Sequence, residues 1–238
     1  MRPLAIVKMG ATYAALISEQ GDFTDWVLRE CKLPADRVIV IDAEGGAPLP
    51  PPDTICGAIL TGSHRTVTDR EPWSEGVAGW LQTAVPEDTP LLGICYGHQL
   101  IAQALGGRVA DNPAGLEFGT VEVTCASGAA QDPLFRTLAP RFKAHTCHTQ
   151  TVVHLPPGAV LLAMSARDAH QAFRVGRHCW GVQFHPEFNT AAVRFYIDRY
   201  KAPLSAQGSA PERLLSDLQQ TPQSSALLAA FSAYCQGL

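Results

Sequence analysis

The stretch PLLGICYGHQL, residues 90–100, joins a short apolar run to a segment of helical spacing through a Gly-x-Cys-x-Gly turn. The apolar run is typical of a buried parallel strand, and the following spacing predicts a helix over Gly97–Leu105. A turn this tight needs small residues on both sides, and Gly93 and Gly97 provide them. The pattern is that of a nucleophile elbow, which places the Cys95 side chain at the carboxyl end of a strand.

Cys95 also falls at the predicted N-terminus of a helix, where backbone N–H groups and the helix dipole favour a thiolate. Such settings lower the pKa of a cysteine from about 8.5 into a range of roughly 3.5–7.5. The sequence therefore predicts a nucleophile at Cys95. The alternative is a buried structural thiol, which is the usual role of a free cysteine.

On either side of this turn, short apolar runs alternate with segments of helical spacing. This alternation indicates a parallel sheet covered by helices, so the fold class is α/β. The predicted strands are Leu4–Met9, Arg37–Ile41, Ile55–Thr61 and Leu91–Ile94, and the predicted helices are Thr24–Cys31, Ser74–Thr83 and Gly97–Leu105.

The second half of the chain is richer in strands, predicted at Gly119–Thr124, Phe142–Cys147, Ala159–Ser165, Gln171–Val175 and Cys179–Phe184. A helical pattern returns from Asn189 to Tyr200 and is followed by a Pro/Gly/Ser-rich link, Pro203–Pro211. Beyond the link lie two amphipathic stretches, Glu212–Gln219 and Ser224–Gln236. We expect one domain over residues 1–201 and a short C-terminal helical extension over residues 202–238.

Composition excludes several classes of protein. With 46% hydrophobic and 17% charged residues and a net charge of −4, the chain has the profile of a globular protein and no basic stripe that would bind nucleic acid. Its seven cysteines are odd in number and lack zinc-ligand spacing, which predicts reduced thiols and no metal site. No apolar run approaches the roughly 18 residues of a membrane span, and no signal peptide is recognisable. We expect a cytoplasmic protein that does not bind membranes.

A second motif, CWGVQFHPE over residues 179–187, runs from an apolar strand into His-Pro-Glu, 90 positions after Cys95. Pro186 disfavours a helix at His185 and keeps the chain extended, so His185 and Glu187 stay on one side of it. The pair can supply a general base and the carboxylate that orients it. Taken alone, the histidine would more often be a solvated strand end.

With GICYGHQ and FHPE in this order, roughly residues 1–190 resemble the class I glutamine amidotransferase family, whose hallmarks are a G-x-C-x-G-x-Q elbow and an H-P-E motif. Within the family, the chain is similar to the glutaminase-type domain of GMP synthase. The resemblance implies a flavodoxin-like three-layer fold with a largely parallel central sheet. It also implies a catalytic triad of Cys95, His185 and Glu187 that needs no metal or organic cofactor.

The same resemblance implies an oxyanion hole made by the backbone N–H groups of Gly62 and Tyr96, at the loop after the third strand and at the elbow. Losing one such donor typically costs about 2.7–4 kcal/mol of barrier lowering. Gln99 lies one helical turn after the cysteine and on the same face. The residues that the resemblance places at the substrate are Ser63, Gln99, His148 and Thr149.

The chain departs from the family pattern at Cys147–Gln150, where glutaminase domains of the GMP synthase type carry Ser-His-x-Asp. Gln150 replaces the aspartate and removes a negative charge that would pair with a substrate α-ammonium. His148 then has two open interpretations, a substrate contact or a plain loop residue. The stretch Leu116–Thr120 also resembles the family, and we expect it to shape the sheet edge without a chemical role.

We therefore predict a glutamine amidotransferase or glutaminase that hydrolyses the glutamine side-chain amide through a γ-glutamyl thioester. About fifty residues follow the H-P-E motif and no G-x-x-x-x-G-K-[ST] loop occurs, so the ammonia acceptor is expected to be a synthetase subunit on another chain. One alternative is a hydrolase of γ-glutamyl amines or peptides, which Gln150 favours. A second is a non-catalytic regulatory subunit with the same fold.

Overall fold

The computed structural model describes residues 2–237. Its strands are Leu4–Lys8 (β1), Val38–Asp42 (β2), Gly57–Leu60 (β3), Leu91–Ile94 (β4), Arg108–Asp111 (β5), Glu117–Cys125 (β6), Arg141–His148 (β7), Gln150–His154 (β8), Val160–Met164 (β9), Ala172–Val175 (β10) and Cys179–Val182 (β11). Its α-helices are Ala14–Gln20 (α1), Phe23–Cys31 (α2), Pro72–Ala84 (α3), Tyr96–Ala104 (α4), Thr190–Arg199 (α5), Lys201–Ala206 (α6), Pro211–Ser216 (α7) and Pro222–Gln236 (α8).

Nine strands form one sheet in the order β2-β1-β3-β4-β11-β10-β9-β6-β7. The first five are parallel to one another, and the remaining neighbours pair antiparallel. Val182 of β11 lies opposite Ile94 of β4, so both strands end at the same edge of the sheet. Leu60 at the end of β3 is opposite Gly93, which brings a third loop to that edge.

Side-chain alternation along β1 shows the layers. Leu4 and Ile6 pack in one hydrophobic cluster with α2 and α8, whereas Ala5 and Val7 pack in a second cluster with α3 and α4. Successive side chains of a strand point to opposite faces, so the sheet lies between two helical layers. The predicted three-layer α/β fold with its parallel strands at the centre is confirmed.

The C-terminal helices pack onto this sheet. Leu227, Leu228 and Phe231 of α8 are buried in the cluster that also holds α2. The first part of the predicted link, residues 203–206, belongs to α6. Pro203 is compatible with this helix because it falls in the first turn, where the missing N–H of proline is tolerated. The boundary between residues 201 and 202 stays a prediction.

Besides α6, three elements, α1, β5 and β8, were not predicted. β5 and β8 form a separate two-stranded antiparallel sheet whose partners are about forty residues apart in sequence. Short strands held by such distant pairing have weak local signals. Within residues 2–237 no helix is long and apolar enough to cross a membrane.

Candidate active site

Cys95 occupies the turn between β4 and α4 with φ 50° and ψ −98°, a backbone conformation that non-glycine residues rarely adopt. Its N–H donates to the Val182 carbonyl at 2.8 Å, which ties the turn to β11. A Cβ on Gly93 would strike the Gly97 backbone, and one on Gly97 would lie 2.6 Å from the Leu60 carbonyl oxygen. The two glycines are thus required by the tight strand-to-helix packing, as the sequence predicts.

His185 follows β11 at the same edge of the sheet. Its N–H donates to the His145 carbonyl at 2.8 Å, and its ring Nδ1 lies 2.7 Å from Glu187 Oε1. Only 3% of His185 and 2% of Glu187 is exposed, so the pair sits in a low-dielectric setting. The chain from strand end to proline therefore places the imidazole and its carboxylate in direct contact.

The pKa of His185 reflects this setting. Burial alone lowers it, but the Glu187 carboxylate and the charge and hydrogen bond of Cys95 outweigh burial and raise the pKa to about 10. The protonated imidazole is therefore the favoured form when a thiolate lies beside it. A cysteine and histidine coupled in this way can form a thiolate–imidazolium pair.

Gly62, in the loop after β3, lies against the same two side chains. A Cβ added at Gly62 would lie 3.2 Å from His185 Cε1 and 3.9 Å from Cys95 Cβ. Gly62 therefore lies beside the His185 ring and the Cys95 side chain, at the edge where β3 and β4 end. Tyr96, the other predicted oxyanion donor, begins α4 directly after Cys95 and is anchored through its hydroxyl, which donates to Ser74 Oγ at 2.7 Å.

One pocket brings most of the predicted residues together. Cys95 lines it with Tyr96 and with the four predicted substrate residues, which are Ser63, Gln99, His148 and Thr149. Gly62, His185 and Glu187 do not line the pocket and lie behind Cys95. Among residues 2–237, no group of three or more His, Cys, Asp or Glu side chains is arranged to hold a metal ion.

The far wall of the pocket is held by hydrogen bonds within the protein. Gln99 Nε2 donates to the Gln150 carbonyl at 2.8 Å and to Gln183 Oε1 at 2.9 Å. The Gln150 side chain donates to Thr68 Oγ1 at 2.8 Å and to Asp111 Oδ1 at 3.1 Å. A carboxylate, that of Asp111, therefore lies one hydrogen bond away from the position where the family pattern has its aspartate.

His148 has a hydrogen-bond acceptor at each of its ring nitrogens. Its Nδ1 donates to the Gln150 carbonyl at 2.8 Å, and its Nε2 donates to Glu117 Oε2 at 2.9 Å. Burial lowers the pKa of His148, but the hydrogen bond and charge of Glu117 and the charge of Asp168 raise it above its ordinary value. Both ring nitrogens are thus engaged inside the protein, and the substrate contact predicted for His148 stays a prediction.

Glu117 belongs to the stretch to which the sequence assigned no chemistry. Besides His148 it accepts hydrogen bonds from Ser165 Oγ and Gln171 Nε2, both at 2.6 Å. It is 3% exposed and lies opposite His148 in the β6–β7 register. The pairing links residues 31 positions apart, so no local sequence signal could have revealed it.

An aromatic wall of the pocket was also missed. Phe118, Tyr196 and Tyr200 line the pocket, together with His64. Tyr196 and Tyr200 are four residues apart, so their shared helical face was a signal available in the sequence. The pocket therefore has an aromatic side on α5 and β6 and a polar side on α4 and residues 148–150.

Comparison with known proteins gives the family. The model of the class-I glutamine amidotransferase family matches residues 53–194, which include both the elbow and the His-Pro-Glu motif. The chain belongs to the class I glutamine amidotransferase family. The resemblance stated from the two motifs is confirmed.

Two relatives of this amidotransferase-family chain have different names. It is 30% identical over 149 residues to "Gamma-glutamyl peptidase 5" of Arabidopsis thaliana, covering 62% of this chain and 59% of that protein. It is 42% identical over 101 residues to a glutamine-hydrolysing GMP synthase subunit of Halobacterium salinarum, covering 42% of this chain and 54% of that protein. The chain thus spans between half and two thirds of the length of these relatives.

The fold is shared with a solved glutamine amidotransferase from Thermotoga maritima. The TM-score is 0.77 at 22% sequence identity, over 99% of this chain and 98% of that chain. At this identity the likeness shows the fold of the family and not the substrate.

Proposed function

We propose that this family member hydrolyses the side-chain amide of glutamine through a γ-glutamyl thioester on Cys95. The observation that carries the proposal is the strained turn at Cys95, which lines the pocket and lies beside the buried His185–Glu187 pair. A nucleophile, a base and an orienting carboxylate are the parts that covalent acyl transfer needs. The name of the Halobacterium salinarum relative supports glutamine as the substrate.

The proposed cycle begins when the Cys95 thiolate attacks the amide carbon. The carbonyl oxygen takes up the negative charge and accepts hydrogen bonds from the backbone N–H groups of Gly62 and Tyr96. His185 gives its proton to the amide nitrogen, the C–N bond breaks, and ammonia leaves a thioester behind. Water then gives a proton to His185 and attacks the thioester carbon, so the C–S bond breaks and glutamate is released.

The ammonia acceptor is proposed to lie on another chain, a separate synthetase subunit. The support is the name of the Halobacterium relative, which is one subunit of a glutamine-hydrolysing synthase. We also propose a cytoplasmic location, because all seven cysteines are free thiols, as is usual in a reducing compartment.

A second candidate is the hydrolysis of γ-glutamyl amines or peptides, with the same chemistry and a larger leaving group. Both kinds of substrate carry the same α-ammonium, so the motivation is the departure from the glutaminase pattern itself: Gln150 places a neutral amide at the pocket where that pattern has an aspartate. The name of the Arabidopsis thaliana relative is consistent with this candidate. A panel of glutamine and γ-glutamyl amines and peptides separates the two, because the preferred substrate has the highest kcat/KM.

Ammonia release from glutamine tests the main proposal. Cys95→Ala should abolish it, because no other nucleophile replaces the sulfur. Cys125→Ala is the matched control, since the Cys125 thiol lies outside the pocket, packs at the margin of the core, and donates a long hydrogen bond of 3.5 Å to the Ala139 carbonyl. Unchanged activity in Cys95→Ala would overturn the mechanism. No ammonia release by the wild-type protein from glutamine or the γ-glutamyl panel would favour the non-catalytic regulatory subunit instead.

A further inference from the structure

The His185 ring is stacked on the ring of Phe188, the residue directly after Glu187. The two ring centroids are 3.9 Å apart and the ring planes differ by 18°. No other ring pair among residues 2–237 has centroids as close. Phe188 is 4% exposed, so the contact is shielded from water.

Phe188 is itself fixed by other aromatic rings. It stacks on Tyr196 at 5.4 Å and 11°, and the edge of Trp26 meets it at 5.4 Å and 86°. The Tyr196 hydroxyl is held by hydrogen bonds with Thr12 Oγ1 at 2.6 Å and with His64 Nε2 at 2.9 Å. Because its neighbours are anchored in this way, Phe188 has no free space into which to turn.

The Phe188 ring restricts a rotation of the His185 imidazole that the Glu187 carboxylate does not restrict. The hydrogen bond from Nδ1 to Glu187 sets the direction of the imidazole, but the ring can still rock about that bond. A flat surface at 3.9 Å stops this rocking. The face of an aromatic ring also carries partial negative charge, so it attracts the imidazolium more than the neutral imidazole.

We propose that Phe188 is a positioning residue for the reaction at Cys95: its ring face fixes the plane of the His185 imidazole and stabilises the protonated form. The effect on rate rests on the proposed function, whereas the effect on the imidazole does not. Other groups that act on His185 are the Glu187 carboxylate, the Cys95 sulfur, and the imidazoles of His64 and His145. All of them are retained when only Phe188 is changed.

The test is an NMR titration of the His185 ring protons, which needs no substrate. In Phe188→Leu we expect the His185 pKa to fall by about one pH unit, a tenfold loss of proton affinity and within the range of a desolvated cation–π contact. Phe188→Tyr keeps the ring face and should restore the value to within a few tenths of a unit. Phe184→Leu is the matched control, because Phe184 is as buried and packs edge-on against Phe142.

Pentafluorophenylalanine at position 188 keeps the shape of the ring and reverses its charge distribution, so it guards against a misfolded leucine variant. It should lower the His185 pKa as leucine does. The kcat of γ-glutamyl hydrolysis should fall about tenfold in Phe188→Leu, with KM little changed. A His185 pKa that is equal in wild type, Phe188→Leu and the fluorinated protein overturns the inference, whatever the enzyme assay shows.

Discussion

Two buried histidines near Cys95 are each hydrogen-bonded to a carboxylate. His185 donates to Glu187, and its ring is coupled to the thiol of Cys95. His148 donates to Glu117, and its other nitrogen donates to a backbone carbonyl. In both, neighbouring charges raise the pKa against the effect of burial. The difference is the second partner of each imidazole, which is the proposed nucleophile Cys95 for His185 and the fixed Gln150 carbonyl for His148.

A histidine with a raised pKa beside a carboxylate is therefore not by itself a sign of catalysis. The His185 pair can exchange a proton with a reacting group, whereas the His148 pair has every proton bound within the protein. We therefore assign the first pair to chemistry and the second to the shape of the pocket wall. Changes to each pair should separate loss of activity from loss of stability.

The largest effect is expected from His185→Gln. Glutamine still donates to Glu187 but cannot shuttle a proton, so kcat should fall by about 10⁴- to 10⁶-fold, the range found when one member of a nucleophilic triad is lost. His148→Gln should lower kcat by at most about 10²-fold, the cost of a misplacement of roughly 1 Å. Steady-state ammonia release measures both, and equal losses would erase the distinction between the two histidines.

The next largest effect is on stability. Glu117→Gln leaves a buried imidazolium without its carboxylate and should lower the free energy of unfolding by roughly 3–5 kcal/mol. Glu122→Gln is the matched control on the same strand, because Glu122 is half exposed and its ion pairs with Arg141 and Lys143 are 3.8 and 3.9 Å long. The control should lose less than about 1 kcal/mol. Urea unfolding measures the free energy of unfolding of both variants. Similar losses in Glu117→Gln and Glu122→Gln would mean that the buried Glu117–His148 pair does not stabilise the fold.

Gly62→Ala probes the space beside the His185 ring. The added methyl group would press on His185 Cε1 from 3.2 Å and displace it by a few tenths of an ångström. A loss of kcat on the order of tenfold is expected from a displacement of that size. Gly79→Ala in α3 points into open space and should leave kcat unchanged. A wild-type kcat in Gly62→Ala would show that the site accommodates the methyl group without displacing the His185 imidazole from its active position.

The smallest effect is a pH dependence. The folded-state pKa of His148 is raised, so its stabilising contribution is fully present below the unfolded value of about 6.5 and is lost as pH rises through the folded value. The difference in unfolding free energy between wild type and His148→Gln should therefore be larger at pH 6 than at pH 9. For Glu122→Gln the same difference should not change with pH. A larger His148 difference at pH 9 would contradict the assignment.

The same two pairs show what could be predicted from the sequence. Glu187 is two residues from His185, and Cys95 sits between two glycines, so the motifs themselves reveal that half of the site. The parallel α/β core follows from apolar runs such as that of β4, whose burial demands continuous hydrophobicity.

The rest depends on pairing between distant strands. Glu117 meets His148 only because β6 and β7 align, and Asp111 meets Gln150 only because β5 pairs with β8. A one-residue change of either register would turn these side chains to the opposite face, and no local pattern fixes the register. The hydrogen bonds of the polar wall therefore could not be predicted from the sequence, although residues 148–150, to which the family resemblance pointed, do line the pocket.

The central claim is that Cys95, activated by His185, attacks a γ-glutamyl carbonyl. A glutamine analogue with an electrophilic chloroketone in place of its amide, followed by peptide mass spectrometry of all seven cysteines, tests it most directly. We predict one label per chain, on Cys95, at a rate that falls to background in His185→Gln. Labelling spread over other cysteines such as Cys147, or an unchanged rate in His185→Gln, would contradict it.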